Sequence, residues 1–78
     1  MSSQEKQIFY NEVESLVDYL KIHSKDVRKN QDAFAEKLNK SGVKLFFNKE
    51  KSRAKAFFWV AHLLGSPHAY GNLISAGM

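Results

Sequence analysis

The stretch Asn30-Gln31-Asp32-Ala33-Phe34-Ala35-Glu36-Lys37-Leu38-Asn39-Lys40-Ser41-Gly42-Val43 decides the fold. Phe34 and Leu38 stand four apart, Val27 lies seven before Phe34, and charged Asp32, Glu36, Lys37 and Lys40 fill other turns. Residues at that spacing share one face of an α-helix, so one side is buried and the other solvated. Gly42 adopts the left-handed backbone that closes a helix at no steric cost, and Val43 would then touch Leu38. The pattern predicts a helix with a Schellman-type stop at Gly42.

Working upstream, Ser2-Ser3-Gln4-Glu5 has the form of a capping box, in which Ser2 and Glu5 satisfy each other's backbone amides. Phe9, Val13, Leu16, Val17 and Leu20 follow at i, i+4, i+7, i+8 and i+11, which predicts an amphipathic helix ending near His23. Ile8, Tyr10, Tyr19 and Ile22 widen its apolar surface beyond one stripe. The excess is either a broad core face or a face for a partner. Ser24 or Asp26 can cap the next helix, which carries Lys25, Arg28 and Lys29 before the opening stretch. Glu36 and Lys40 form an i, i+4 pair of favourable order there, contributing a few tenths of a kcal/mol.

Downstream, Lys44-Leu45-Phe46-Phe47 reads as an extended connector whose aromatic pair plugs the core, since no second strand exists to pair with it. Asn48 is a fitting N-cap for a third helix, with Glu50 in its first turn. That helix is basic at first (Lys49, Lys51, Arg53, Lys55) and then apolar on nearly every side from Ala56 to Leu64, as in a helix buried on two sides. Gly65-Ser66-Pro67 reads as a left-handed stop, an N-cap and a first helical residue. Tyr70, Leu73 and Ile74 then give an apolar patch on a short last helix. The fold class is all-α, a compact bundle of about four helices without a sheet, in a single domain spanning residues 1–78.

Composition bounds the function. At 78 residues the chain can bury only roughly 60% of its unfolded surface, so it cannot be divided further. With 44% hydrophobic residues it is too apolar for disorder. Cysteine is absent, which removes disulfides and thiolate metal sites and fits a reducing cytoplasm. Ala56 to Ala61 is far shorter than the roughly 20 apolar residues that span a bilayer, and the polar start does not resemble a signal peptide. A soluble, unprocessed protein is expected.

Charge is unevenly spread. Residues 1–20 sum to −3, residues 21–55 to +7, and residues 56–78 carry no Lys, Arg, Asp or Glu. A basic middle invites an acidic partner, nucleic acid first among them, although lysines also serve to solvate a helix face. Lys49, Lys51, Arg53 and Lys55 would be the nucleic-acid contacts. The order of helix, turn and basic helix approaches a helix-turn-helix, but residues 41–48 make too long a turn for one and the helix lacks Asn or Gln in its first turns to read adenine. Phosphate contact without sequence readout stays open. No enzymatic constellation is visible, and His23, His62 and His68 lack the spacing of a zinc motif. Neither cofactor nor metal is expected.

Lys21, Asp26, Val27, Asn30, Phe34, Leu38, Asn39, Gly42 and Val43 spell Lys-x4-Asp-Val-x2-Asn-x3-Phe-x3-Leu-Asn-x2-Gly-Val. At ungapped spacing this resembles the central segment of the AsiA anti-sigma family of T-even bacteriophages. The resemblance implies a small helical phage protein of the host cytoplasm, homodimeric when free, whose first helix binds region 4 of the host sigma factor and abolishes −35 promoter recognition. Carried over by register, it sets partner binding on Val13, Leu16, Val17, Leu20 and Lys21, with Phe9 of the same apolar stripe beside them, and a second contact near the polymerase flap on Asn39, Gly42 and Val43. The chain departs from the family in being basic and in its aromatic Phe57-Phe58-Trp59 helix. Three functions stay open: a phage-type transcription regulator bound to sigma factor, a small basic nucleic-acid-binding protein, and an inhibitor module with another host protein target.

Overall fold

The computed structural model describes residues 2–77, which form five helices and no strand: α1 (Ser3–Ile22), α2 (Ser24–Lys29), α3 (Gln31–Phe47), α4 (Lys51–Leu64) and α5 (Ala69–Ser75). The helix that organises them is α4. Ala54, Ala56, Phe58, Val60 and Ala61 are all buried on it, and α1, α3 and α5 each pack against it. A helix apolar on all sides needs neighbours on all sides, and here the chain itself supplies most of them. No helix among the described residues is long and apolar enough to cross a membrane.

The capping box forms as its sequence predicts. Glu5 N–H donates to Ser2 Oγ at 3.2 Å and Ser2 N–H to Glu5 Oε1 at 3.3 Å. From there α1 runs alongside α4 in the same direction: Glu12 meets Arg53 in the first turn of α4, and Leu16 packs with Val60 and Ala61. α3 runs the opposite way, its Gln31 amide donating to the Leu64 carbonyl at 2.7 Å. α5 returns along α4, with Ala69 near Ala61 and then Leu73 and Ala76 near Phe58 and Ala54. Trp59 packs against both apolar clusters and joins them.

Several local expectations are corrected. The second helical region is two helices, because the backbone breaks at Asn30 (φ −133°, ψ 44°), and neither α2 nor α3 has a side-chain N-cap. Gly42 does not end α3. It is buried mid-helix, where a Cβ would stand 2.6 Å from Phe58 Cε1, so glycine is required there for close approach and not for a turn. The helix continues to Phe47, and the supposed connector Lys44 to Phe47 is its last turn. Of the aromatic pair, Phe46 is half-buried and Phe47 is 77% exposed.

The stop lies at Lys49, the one non-glycine residue with left-handed backbone among those described (φ 66°). Its N–H donates to the Phe46 carbonyl and that of Glu50 to the Leu45 carbonyl, the bond pair of a Schellman motif. Asn48 therefore closes α3 and does not cap α4. Gly65 (φ 106°) closes α4 as its sequence predicts, by the same bonding to His62 and Ala61. Ser66 is not the cap of α5: its hydroxyl donates to Glu36 Oε1 at 2.9 Å, and α5 begins later, at Ala69. Glu36 is thereby drawn to Ser66 and forms no ion pair with Lys40 among the described residues. The inner face of α5 is Ala69, Leu73 and Ala76, while Tyr70 and Ile74 are 53% exposed.

Candidate functional site

The face of α1 expected to meet a partner is mostly its core face. Phe9 and Leu16 are 6% and 7% exposed, and Val13 and Leu20 are half-buried against the cluster around Val60. Only Val17 and Lys21 of the six face solvent. Periodicity marks which residues leave water and does not say whether this chain or another covers them. The second contact is corrected likewise. Asn39 is buried and accepts a 2.9 Å hydrogen bond from the Asn72 amide, Gly42 is sealed by Phe58, and Val43 is half-buried.

The basic start of α4 does not assemble into one surface either. Arg53 donates to Glu12 Oε1 and Glu50 Oε1, each at 2.8 Å. Those bonds, from Glu50 first and then Glu12, raise its pKa above the ordinary arginine value. Lys55 is 6% exposed, its ammonium beside Gly77. Lys49 and Lys51 remain open to solvent. The turn between α3 and α4 spans only residues 48–50, so turn length is no obstacle to a helix-turn-helix. The obstacle is the first half of α4, because a recognition helix must put those turns into a groove and here Ser52, Ala54, Lys55 and Ala56 are buried.

Two surfaces remain. The first is apolar. Helical spacing sets Tyr10, Val13, Val17 and Lys21 on one flank of α1. Ile8, Glu12 and Tyr19 lie on the opposite flank, where Glu12 reaches Arg53 and Tyr19 lies 6.5 Å from the Phe34 ring of α3. The first flank thus borders the side of α4 that α3 leaves open. On that side an aromatic run crosses from α4 to α5, with ring centres 6.1 Å apart between Trp59 and His62 and 5.2 Å between His62 and Tyr70. Leu63 is 64% exposed beside it, and the whole segment 56–78 carries no Lys, Arg, Asp or Glu. Tyr70 and Leu63 escaped the sequence reading because each fits a core stripe as well as a surface.

The second surface is basic. Lys37, Lys40 and Lys44 fall at i, i+3 and i+7 on the solvent side of α3, with Lys25, Arg28 and Lys29 on α2 leading into it; all six are exposed. The same spacing rule that finds apolar stripes finds this one.

The cleft lined by Val43, Phe46, Phe47, Phe58, Asn72 and Ser75 is apolar and has a volume of about 140 Å³, below the roughly 300 Å³ at which ligand pockets begin. A larger hollow of about 600 Å³, polar and open to solvent, lies at the α2–α3 junction between Arg28 and Ala33. Among the described residues no three of His, Asp and Glu gather as metal ligands would. Comparison with protein-family models, curated proteins and solved structures finds no match to this chain.

Proposed function

We propose that the chain is a non-enzymatic transcription regulator that acts by docking a helical protein partner on the open side of α4, between the outer flank of α1 and α5. The observation that carries this reading is the exposure, by half or more, of the apolar Leu63, Tyr70 and Ile74 within a segment that has no Lys, Arg, Asp or Glu. Contiguous apolar surface rimmed by polar residues marks protein interaction sites, and Tyr and Trp favour them because one end of the ring system is apolar and the other wets. The resemblance of Lys21 to Val43 to the AsiA family supplies the target: region 4 of the host sigma factor, in the host cytoplasm. A homodimer through the same surface is its free form.

On this reading Val17 and Lys21 are the members of the carried-over set that touch the partner, while Phe9 and Leu16 hold α1 in place. Purified sigma region 4 titrated against the wild type and the variants Val17→Asp and Leu63→Asp, with melting followed by circular dichroism, tests it. Both variants should melt cooperatively, as the wild type does, and lose sigma binding. No binding by the wild type overturns the target, and undiminished binding by both variants overturns the surface.

A further inference from the structure

On the far side of the molecule six of the chain's twelve Lys and Arg gather on α2 and α3, which carry only three acids. Lys37, Lys40 and Lys44 form a straight stripe of about 10 Å on α3 at 1.5 Å of rise per residue. Lys25, Arg28 and Lys29 extend it over α2, and all of these side chains are exposed. The ion pairs among the described residues belong to Arg53. That residue engages Glu12 and Glu50, and Glu36 accepts from Ser66. On α2 and α3 the remaining acids are Asp26 and Asp32, both exposed and neither within ion-pair distance of these cations.

What the face lacks is as informative. The exposed large apolar residues of the described chain include Ile22 and Phe47 but none between them. Protein interfaces are depleted in lysine and depend on a cluster of buried apolar or aromatic anchors, of which this face offers Phe47 alone, at its end. A phosphate backbone asks for cations alone. Single-stranded nucleic acid needs successive aromatic side chains on which bases stack, and this face presents a single one, Phe47, past Lys44 at its very end.

We infer that the α2–α3 face, with Lys37, Lys40 and Lys44 as its centre, binds the phosphate backbone of a nucleic-acid duplex without reading its sequence. The basic half of α4 is not the contact, since Arg53 is engaged by carboxylates and Lys55 is buried. The inference stands apart from the protein-docking proposal, because the two surfaces lie on different helices and are probed by different variants.

Fluorescence anisotropy of a labelled DNA duplex of arbitrary sequence, titrated with the full chain between about 50 and 200 mM salt, tests it. The logarithm of the binding constant should fall linearly with the logarithm of salt, by about 0.9 per phosphate engaged. Lys37→Gln/Lys40→Gln/Lys44→Gln should flatten that slope by about 2.7, the share of three phosphate contacts, with unchanged melting. Lys6→Glu, which alters net charge on the opposite side of α1, should keep the wild-type slope. A second duplex of unrelated sequence should bind equally. Absence of duplex binding at the lowest salt, a triple variant with the wild-type slope, or binding to anionic lipid vesicles but not to duplex each overturns the inference.

Discussion

Gly42 lies directly against the ring of Phe58, so that a Cβ at position 42 would be 2.6 Å from Cε1, 2.7 Å from Cδ1 and 3.2 Å from the Phe57 Cβ. Phe58 is 2% exposed, and its ring can yield only toward the cleft that it lines with Val43, Phe46 and Asn72. Helix propensity alone would make Gly42→Ala stabilising by about 1 kcal/mol. Overpacking a closed core costs about 1–3 kcal/mol, and the contact distances say that overpacking wins. Gly42→Ala should therefore lower stability by about 1 kcal/mol in urea denaturation. The same change in a Phe58→Leu background should be neutral or favourable, because the ring edge is gone. Equal effects in the two backgrounds would show that the α3–α4 contact does not set the sign.

That glycine also shows where sequence reasoning stops. A glycine after a helical stripe can stand for a left-handed stop or for a missing Cβ, and the two demands leave the same letter. Taken as a stop, Gly42 would end α3 five residues short of Phe47. Gly65 followed the stop rule because Pro67 and Ser66 punctuate the same place, and the Ser2-to-Glu5 box followed its rule because both partners lie within one turn. All-α architecture was legible from periodicity on α1 and α3. What was not legible is long-range: that Ser66 would answer Glu36, thirty residues away, and that Val60 and Ala61 of α4 would cover Leu16. The candidate site suffered most, since a stripe names buried residues without naming what buries them.

Lys49 is the converse case, a side chain where glycine would serve better. With φ 66° it closes the Schellman motif of α3, and a Cβ in left-handed backbone costs on the order of 1 kcal/mol. Part of that is offset in the unfolded chain, where glycine has more freedom to lose. Lys49→Gly should raise stability by roughly 0.5 kcal/mol, shifting the urea midpoint upward at unchanged slope. A lowered midpoint would mean that α3 does not end through this residue.

Glu5 ties the start of α1 to pH. Hydrogen bonds from the Ser2 backbone and then the Ser2 hydroxyl hold its pKa below the ordinary glutamate value. A carboxylate depressed in the folded state contributes stability above its unfolded pKa and loses it as pH falls through the folded one. The first turn of α1 should accordingly loosen on acidification below the ordinary glutamate range, seen as lower protection of the Glu5 and Lys6 amides relative to their intrinsic exchange rates. Glu5→Gln should exchange at a pH-independent opening level across that range. Since the carboxylate is fully exposed, global melting should barely respond.

Leu16 and Val17 are neighbours in sequence with opposite stations. Leu16 is 7% exposed within the cluster of Leu38, Val60, Ala61 and Ala69, while Val17 is 38% exposed on the outer flank of α1. Removing three carbons from the first leaves a cavity among residues that three helices hold in place, at a cost of about 2–5 kcal/mol. Small domains have only about 5–15 kcal/mol in total, so Leu16→Ala should melt far lower or fail to fold. Val17→Asp gives up the buried part of a side chain that is 38% exposed and adds a solvated charge, and its effect on stability should be about 1 kcal/mol, well below that of Leu16→Ala. Comparing thermal melts of the two separates what α1 does for the fold from what it offers a partner. Were Val17→Asp to unfold the chain as Leu16→Ala does, the outer flank of α1 would be core, and a partner would have to be sought on α4 and α5 alone.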